Sequence, residues 1–255
     1  MYWIKKILFR FLPETLYVRT LHRGFYFLYT LGLLKKDKRF KYHYAVKKLI
    51  QKDFVVVDIG ANLGYFAKTF ARKTPEGKVI CVEPVPLFAN TLKFFLKSNS
   101  NVEIFNIALG KENKTVTMAL PKSRGVMRTG LPHVLGSKDA KPEESELIEV
   151  TMVNTLEFFD KLEKINYIKC DIEGFERYVF EDIEVIINEK RPMVQIEISE
   201  ENQEFFFAYF SRLNYRQFGI ENFVFVEDNG KQKEEGDFLF VPNESLAEFH
   251  KKVAT

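Results

Sequence analysis

Residues 54–64 read Phe54-Val-Val-Val-Asp-Ile-Gly-Ala-Asn-Leu-Gly64, and the chain continues to Val79-Ile-Cys-Val-Glu-Pro84. The pattern is a strand, a glycine turn, a helix and a second strand ending in an acid, the first half of a nucleotide-binding α/β sheet. Val55, Val56 and Val57 are β-branched, as expected of a strand buried on both faces. The turn is D-x-G-x-x-x-G, with Asp58, Gly60 and Gly64, and not the G-x-G-x-x-G of dinucleotide enzymes. That difference favours S-adenosylmethionine over NAD as the ligand. Gly60 permits a sharp turn, Gly64 is expected to let the next helix pack close to the sheet, and the N–H groups opening that helix favour an anion. A carboxylate at Glu83 can accept both hydroxyls of a ribose.

Composition frames the rest of the chain. A length of 255 residues fits one large domain with an N-terminal extension, divided here as 1–52 and 53–255. Residues 1–52 carry 13 Lys or Arg against two acids, Glu14 and Asp37, a net of +11. The whole chain is +3, so residues 53–255 carry −8. A basic arm on an acidic body calls for an anionic partner or a solvated face, and a peripheral contact with a membrane surface is one such partner. Trp3, Ile7, Leu8 and Phe11 fall on one side of a first helix, with Lys5, Lys6 and Arg10 nearer the other. Core packing is the alternative use of the same apolar residues. Phe25 to Leu34 is too short an apolar run to span a bilayer, and Met1 to Leu12 lacks the layout of a signal peptide. The two cysteines, Cys81 and Cys170, read as buried free thiols in a reducing compartment. The expected location is cytoplasmic, at most peripheral on the inner face of the membrane.

Along the chain the pattern predicts helices over 63–73, 86–98, 156–162, 175–189 and 203–213. It predicts strands over 54–59, 78–83, 102–107, 115–120, 147–153, 167–170 and 193–198. Residues 223–227 and 238–241 read as a terminal hairpin around Asp228-Asn-Gly230. Residues 121–146 form a long polar loop of the kind that often carries function. The fold class is therefore α/β, a Rossmann-like, mostly parallel sheet with a C-terminal antiparallel hairpin and an N-terminal helical extension.

A second constellation follows the strand at 167–170, in Asp171-Ile-Glu-Gly-Phe-Glu176. Ligands of open α/β sheets bind beyond the carboxyl ends of the strands. With this strand beside that of residues 54–59, Asp171 is placed next to the reacting group. Glu173 and Glu197 reach the same rim, and the three acids can orient an acceptor hydroxyl, take its proton or hold a divalent cation. Glu176 reads as a cap on the following helix. In the long loop His133 is a candidate base, and Arg124 and Arg128 are candidate contacts for an anionic sugar.

On these residues the chain resembles the FkbM family of S-adenosylmethionine-dependent methyltransferases. The segments that carry the resemblance are Val57–Phe66, Val82-Glu-Pro84, Asn106-Ile-Ala-Leu-Gly110, Val150–Glu157, Ile168–Glu176 and Ile196-Glu197, spread over roughly residues 53–200. Thr155-Leu-Glu157 stands where the family commonly has Thr-Leu-Asp. The resemblance implies a class I methyltransferase sheet. It implies that Asp58, Gly60, Ala61, Asn62 and Gly64 surround the methionine part of S-adenosylmethionine and that Phe66 also belongs to the cofactor site. It further implies that Glu83 and Pro84 sit at the ribose, that Ala108 and Leu109 border adenine, and that Asp171 meets both cofactor and acceptor. The reaction it implies is O-methylation of a sugar, glycan or other small hydroxyl acceptor. A nucleic-acid substrate is disfavoured, because no Asn/Asp-Pro-Pro-aromatic motif follows the strand at 167–170. Two other readings remain open from sequence: an RNA methyltransferase using the basic arm as a handle, and a catalytically silent module that keeps the fold.

Overall fold

The computed structural model describes residues 2–123, 126–127, 133–134, 145–172, 174–228 and 236–253. Three helices come first: α1 (Tyr2–Phe11), α2 (Glu14–Thr30) and α3 (Lys41–Ala45). There follow β1 (Val55–Ile59), α4 (Ala67–Lys73), β2 (Lys78–Val82), α5 (Pro86–Leu96) and β3 (Val102–Phe105). An excursion then runs through β4 (Ala108–Gly110), β5 (Lys114–Ser123), β6 (Val126–Met127), β7 (His133–Val134) and β8 (Ser145–Asn154). The chain returns through α6 (Thr155–Asp160), β9 (Tyr167–Cys170), α7 (Glu176–Asp182), α8 (Glu184–Lys190), β10 (Met193–Ile198) and α9 (Gln203–Arg212). It finishes with β11 (Tyr215–Glu221), β12 (Val224–Glu227), β13 (Gly236–Pro242) and α10 (Leu246–Val253).

The main sheet has the order β12-β11-β13-β10-β9-β1-β2-β3. Five strands from β10 to β3 run parallel, and β13 enters antiparallel between β10 and β11. The valines of β1 pair with β2 on one side and β9 on the other, and its last four residues are buried. One apolar cluster fills each face of the sheet. Val57, Ile168, Phe180 and Phe210 belong to one, and Val56, Phe70, Tyr167 and Leu239 to the other. Both layers of helices are thus fixed by strands whose alternate side chains are apolar on both faces.

Three expectations change. The strands at 223–227 and 238–241 do not pair with each other, because β11 lies between them. The hairpin is β11–β12, turning at Asn222 and Phe223 with φ of 48° and 65°, the left-handed angles that a two-residue hairpin requires. The helix expected from residue 63 starts at Ala67. The single helix expected over 175–189 is two, broken where fully buried Ile183 leaves helical angles at φ −103° and ψ 17°.

The N-terminal residues are built into the body. Tyr17 and Val18 pack with Leu63, Val85, Phe88 and Leu120, and Tyr42, Val46, Leu49 and Ile50 join the second face of the sheet. Helix α2 lies directly on the glycine turn. His22 Nδ1 sits 2.7 Å from the Leu63 carbonyl, so it must carry the proton and donate. Tyr26 donates to the Tyr65 carbonyl at 2.8 Å. The His22 ring stacks on Phe95 with centroids 3.8 Å apart. Burial pushes the His22 pKa down to about 4, against the Leu63 hydrogen bond and with help from Lys68 and Arg23. The folded state therefore binds fewer protons at this site than the unfolded chain between pH 4 and 6.5, and its stabilising contribution is complete above that window and lost as pH falls through it. Urea unfolding of the wild type and of His22→Phe tests this. The stability gap between them narrows by about 2 kcal/mol from pH 7.5 to 4.5; a gap independent of pH contradicts it.

Candidate active site

The carboxyl ends of β1, β2 and β9 meet at the glycine turn. Gly60 has φ of +73°, and its N–H and that of Ala61 both donate to the Val82 carbonyl, at 3.0 and 3.1 Å. A Cβ on Gly60 would lie 1.9 Å from the carbonyl oxygen of Asp171, so only glycine allows the two strand ends to touch. Gly64 has a different role from the one expected. A Cβ there would come within 2.7 Å of Leu92, so this glycine admits α5 against the turn. Helix α4 starts at Ala67, three residues beyond Gly64, so the N–H groups that open it follow the turn and are not part of it.

Glu83 is 4% exposed at the end of β2. Its Oε2 accepts the Asn62 N–H at 2.7 Å and its Oε1 accepts the Val85 N–H at 2.8 Å. Each oxygen keeps one further acceptor position. Burial pushes its pKa up to about 7, although both backbone hydrogen bonds pull it down. Asn106 donates to the carbonyls of Glu83 and Pro84, both at 2.8 Å, and locks the backbone of the acid. Beside Glu83 opens a narrow apolar cleft of about 40 Å³. Gly60, Pro84, Ala108 and Leu109 are among its lining residues, together with Met118, Ile172 and Phe175. Met118 belongs to β5 in the second sheet, which pairs β4, β8, β5 and β6 in that order, so this sheet walls the cleft. Ala61 and Phe66 are buried in the apolar cluster on the second face of the sheet, with the Phe66 ring stacked on His43 at 3.8 Å.

Lys169 is a site residue that sequence reading did not pick out. It lies on β9, its side chain 4% exposed, with Nζ 2.9 Å from Asp171 Oδ2, 3.4 Å from the Gly60 carbonyl and 3.9 Å from Asp58 Oδ1. Burial lowers its pKa, but Asp171 and Asp58 outweigh burial and hold it charged. Asp58 is fully buried, and neither of its oxygens has a hydrogen-bond partner among the described residues. Burial pushes its pKa up to about 6 while Lys169 opposes the rise.

Asp171 keeps 34% of its side chain exposed. Burial raises its carboxyl, but the Lys169 ammonium and a hydrogen bond with Glu197 leave it below the usual carboxylate range. Glu197 opens to solvent at the end of β10; partial desolvation and the Asp171 charge push its pKa up, so the two acids share a proton. Asp237 faces Glu197 across the β10–β13 pair and accepts from Gln195 Nε2 at 2.7 Å. Burial raises its pKa to about 6. His43, from α3, also belongs to this neighbourhood: burial and then Lys169 lower its pKa to about 3, so it is neutral, and its Nδ1 has no partner among the described residues. The signal for Lys169 and Asp237 was in the sequence, a charge inside an apolar strand, Tyr167-Ile-Lys-Cys170 and Gly236-Asp-Phe-Leu-Phe240. His43 carried none.

Glu176 is a structural tether: its two oxygens accept the Ile172 and Gly174 N–H groups at 2.8 and 2.9 Å and shape the loop after Asp171. Glu173, Arg124 and Arg128 lie outside the described residues, as does the side chain of His133, whose backbone pairs with Ala119. No group of three or more His, Cys, Asp or Glu that could hold a metal occurs among the described residues. Cys81 and Cys170 are buried free thiols, and burial raises both pKa values far from the reactive range.

The sequence profile of the methyltransferase FkbM domain matches residues 58–228, more than half of the chain. The chain belongs to the FkbM methyltransferase family. The match begins at Asp58 and takes in Glu83, Lys169, Asp171 and Glu197, while His22 and His43 fall outside it. Among curated proteins the chain is similar to Methyltransferase 1 of Beauveria bassiana, 23% identical over 52% of this chain and 59% of that one. It is also similar to the 2-O-methyltransferase NoeI of Sinorhizobium fredii, 29% identical over 32% of this chain and 34% of that one. A solved FkbM methyltransferase from Methylobacillus flagellatus aligns with 75% of this chain and 44% of its own, at 16% identity and a TM-score of 0.49. The chain thus spans less than two thirds of the length of these FkbM and methyltransferase relatives.

The buried Lys169 carries a measurable consequence. Lys169→Met leaves the Asp58 carboxylate enclosed without a counter-charge and costs about 3–5 kcal/mol in urea unfolding. Adding Asp58→Asn to that variant restores much of the loss. A loss below about 1 kcal/mol in the single variant shows that the pair is not the internal support described.

Proposed function

We propose that the protein is an S-adenosylmethionine-dependent O-methyltransferase whose acceptor is a hydroxyl of a sugar or glycan. The observation that carries this reading is the set of groups around the glycine turn. Asp58 is an enclosed carboxylate without a hydrogen-bond partner, Glu83 retains acceptor capacity on both oxygens, and an apolar cleft lies beside it. A ligand with a cationic amino-acid part, a ribose and a flat base uses all three. The turn from Gly60 to Gly64 would hold the amino-acid part, Glu83 the ribose hydroxyls, and the wall of Pro84, Ala108, Leu109 and Met118 the base. S-adenosylmethionine, when bound, supplies a methyl group on a positive sulfur, open to in-line attack by a nucleophile.

The chain's own contribution is positioning, exclusion of water and control of one proton. Lys169 fixes Asp171 at the strand end, and Asp171 keeps the exposure it needs to accept a hydrogen bond from an acceptor hydroxyl. The hydroxyl proton passes to the Asp171–Glu197 pair, and the solvent-facing side of Glu197 gives it a way out. Asp171, Glu197 and Asp237 make an acidic rim, which suits a neutral polyhydroxyl acceptor and disfavours a phosphate backbone. The name of NoeI, a 2-O-methyltransferase, supports transfer to oxygen.

Two measurements test the reading. Calorimetry with S-adenosylhomocysteine gives an affinity that drops as pH falls through about 7, where Glu83 gains its proton and loses acceptor strength. Glu83→Gln weakens binding about tenfold or more and flattens that pH profile. An unchanged affinity removes Glu83 from the ribose. In a radiolabelled methyl-transfer assay over a panel of oligosaccharides, Asp171→Asn lowers turnover by about 100-fold or more with little change in cofactor binding. If turnover survives and cofactor binding collapses, Asp171 is a cofactor residue. Transfer to RNA and to no oligosaccharide overturns the acceptor class.

A further inference from the structure

Helix α2 has two faces with different tasks. Val18, His22 and Tyr29 are buried on one, where the helix meets the glycine turn and the N-terminal core. On the other, Leu16 and Phe27 are 44% and 65% exposed. Eleven residues separate them, which brings them within about 20° of each other around the helix axis, and exposed Arg23 falls on the same line. The stripe continues past the helix into Leu31 and Leu33, both more than half exposed, and then into exposed Lys35, Lys36 and Lys38. Helix α1 repeats the composition, with Lys6, Ile7, Arg10 and Phe11 all exposed. No helix among the described residues is long and apolar enough to cross a membrane.

We infer that this face of α2 and the turn after it form a docking surface for an anionic lipid bilayer. Two observations choose that occupant. Residues 1–52 carry +11 and the remainder −8, so an anionic surface attracts the segment and repels the body, which sets the orientation. The exposed side chains between the cations of this surface are long and apolar, the combination that enters the headgroup boundary, and all but Phe27 are leucines, which lack the flat ring on which a nucleic acid base stacks. Asp37, one of the two acids, is held by Arg39 at its own end of the segment and does not neutralise the stripe.

The inference concerns binding and stands apart from the reading of the reaction. The test is flotation of the full chain with vesicles of phosphatidylcholine alone, and with about 30% phosphatidylglycerol. The chain floats with the anionic vesicles, less so at high salt, and stays behind with phosphatidylcholine alone. Phe27→Asp combined with Leu31→Asp lowers vesicle binding by about tenfold or more, and leaves thermal unfolding unchanged because both side chains are exposed. Lys35→Glu combined with Lys36→Glu lowers binding to anionic vesicles in the same way. The inference is overturned if the chain does not float, or if the Phe27/Leu31 variant floats as the wild type does. It is equally overturned if light scattering shows a dimer that the Phe27/Leu31 variant abolishes, which assigns the face to a second copy, or if RNA binds in preference to vesicles.

Discussion

The Lys169 ammonium sits where four carboxylates converge from four strands, and the geometry of the site depends on it. Asp58 is the penultimate residue of β1, Asp171 follows β9, Glu197 lies on β10 and Asp237 on β13. Without a cation, acids this close and this enclosed would take up protons or push the strand ends apart. Lys169 pairs with Asp171 at 2.9 Å and reaches the Gly60 carbonyl at 3.4 Å, so one side chain binds the turn of one strand to the acid of the next. Its position in the sheet follows from strand register, since Lys169 pairs with Asp58 on β1 and with Gln195 on β10. The site is therefore a property of the sheet before it is a property of any loop.

The glycine turn is held from outside as well as from within. From within, Gly60 and Ala61 bond to β2, and Asn62 bonds to Glu83. From outside, His22 and Tyr26 take the carbonyls of Leu63 and Tyr65. A short turn presents its N–H groups in one direction only if its carbonyls are satisfied in the other. Helix α2 meets that condition with side chains that the family profile, starting at Asp58, does not include.

Much of this was legible in the sequence because burial leaves a plain trace. Strands β1, β2, β9 and β10 are enclosed on both faces, so they read as apolar runs, and an acid at the end of such a run is conspicuous; Asp58, Glu83 and Asp171 stood out for that reason. What stayed hidden depends on partners distant in the chain. Strand β11 could not be placed because its neighbour β13 comes later and inserts between it and β10. Met118 reaches the cleft only because the second sheet folds over it, and its own neighbours give no sign of that. Lys169 shows in the sequence as a charge inside an apolar strand, two residues before Asp171, but its role appears only once Asp58 arrives beside it from the neighbouring strand. His22 and His43 lie in a segment whose charge draws attention outward, while their side chains face inward.

That last contrast shows how one stretch of chain serves two constraints. An amphipathic helix on the surface of a globular body has one apolar face to bury, and α2 spends that face on Tyr17, Val18, Tyr26 and Tyr29. Nothing in helix packing then requires Leu16, Phe27, Leu31 and Leu33, which lie outside the buried face and remain in water. The buried face explains why the helix is where it is. The exposed apolar residues are left over from that explanation, and the surrounding positive charge gives them a surface to meet. Because the same helix holds the carbonyls of the glycine turn, a contact on its outer face lies one helix diameter, about 10 Å, from the site.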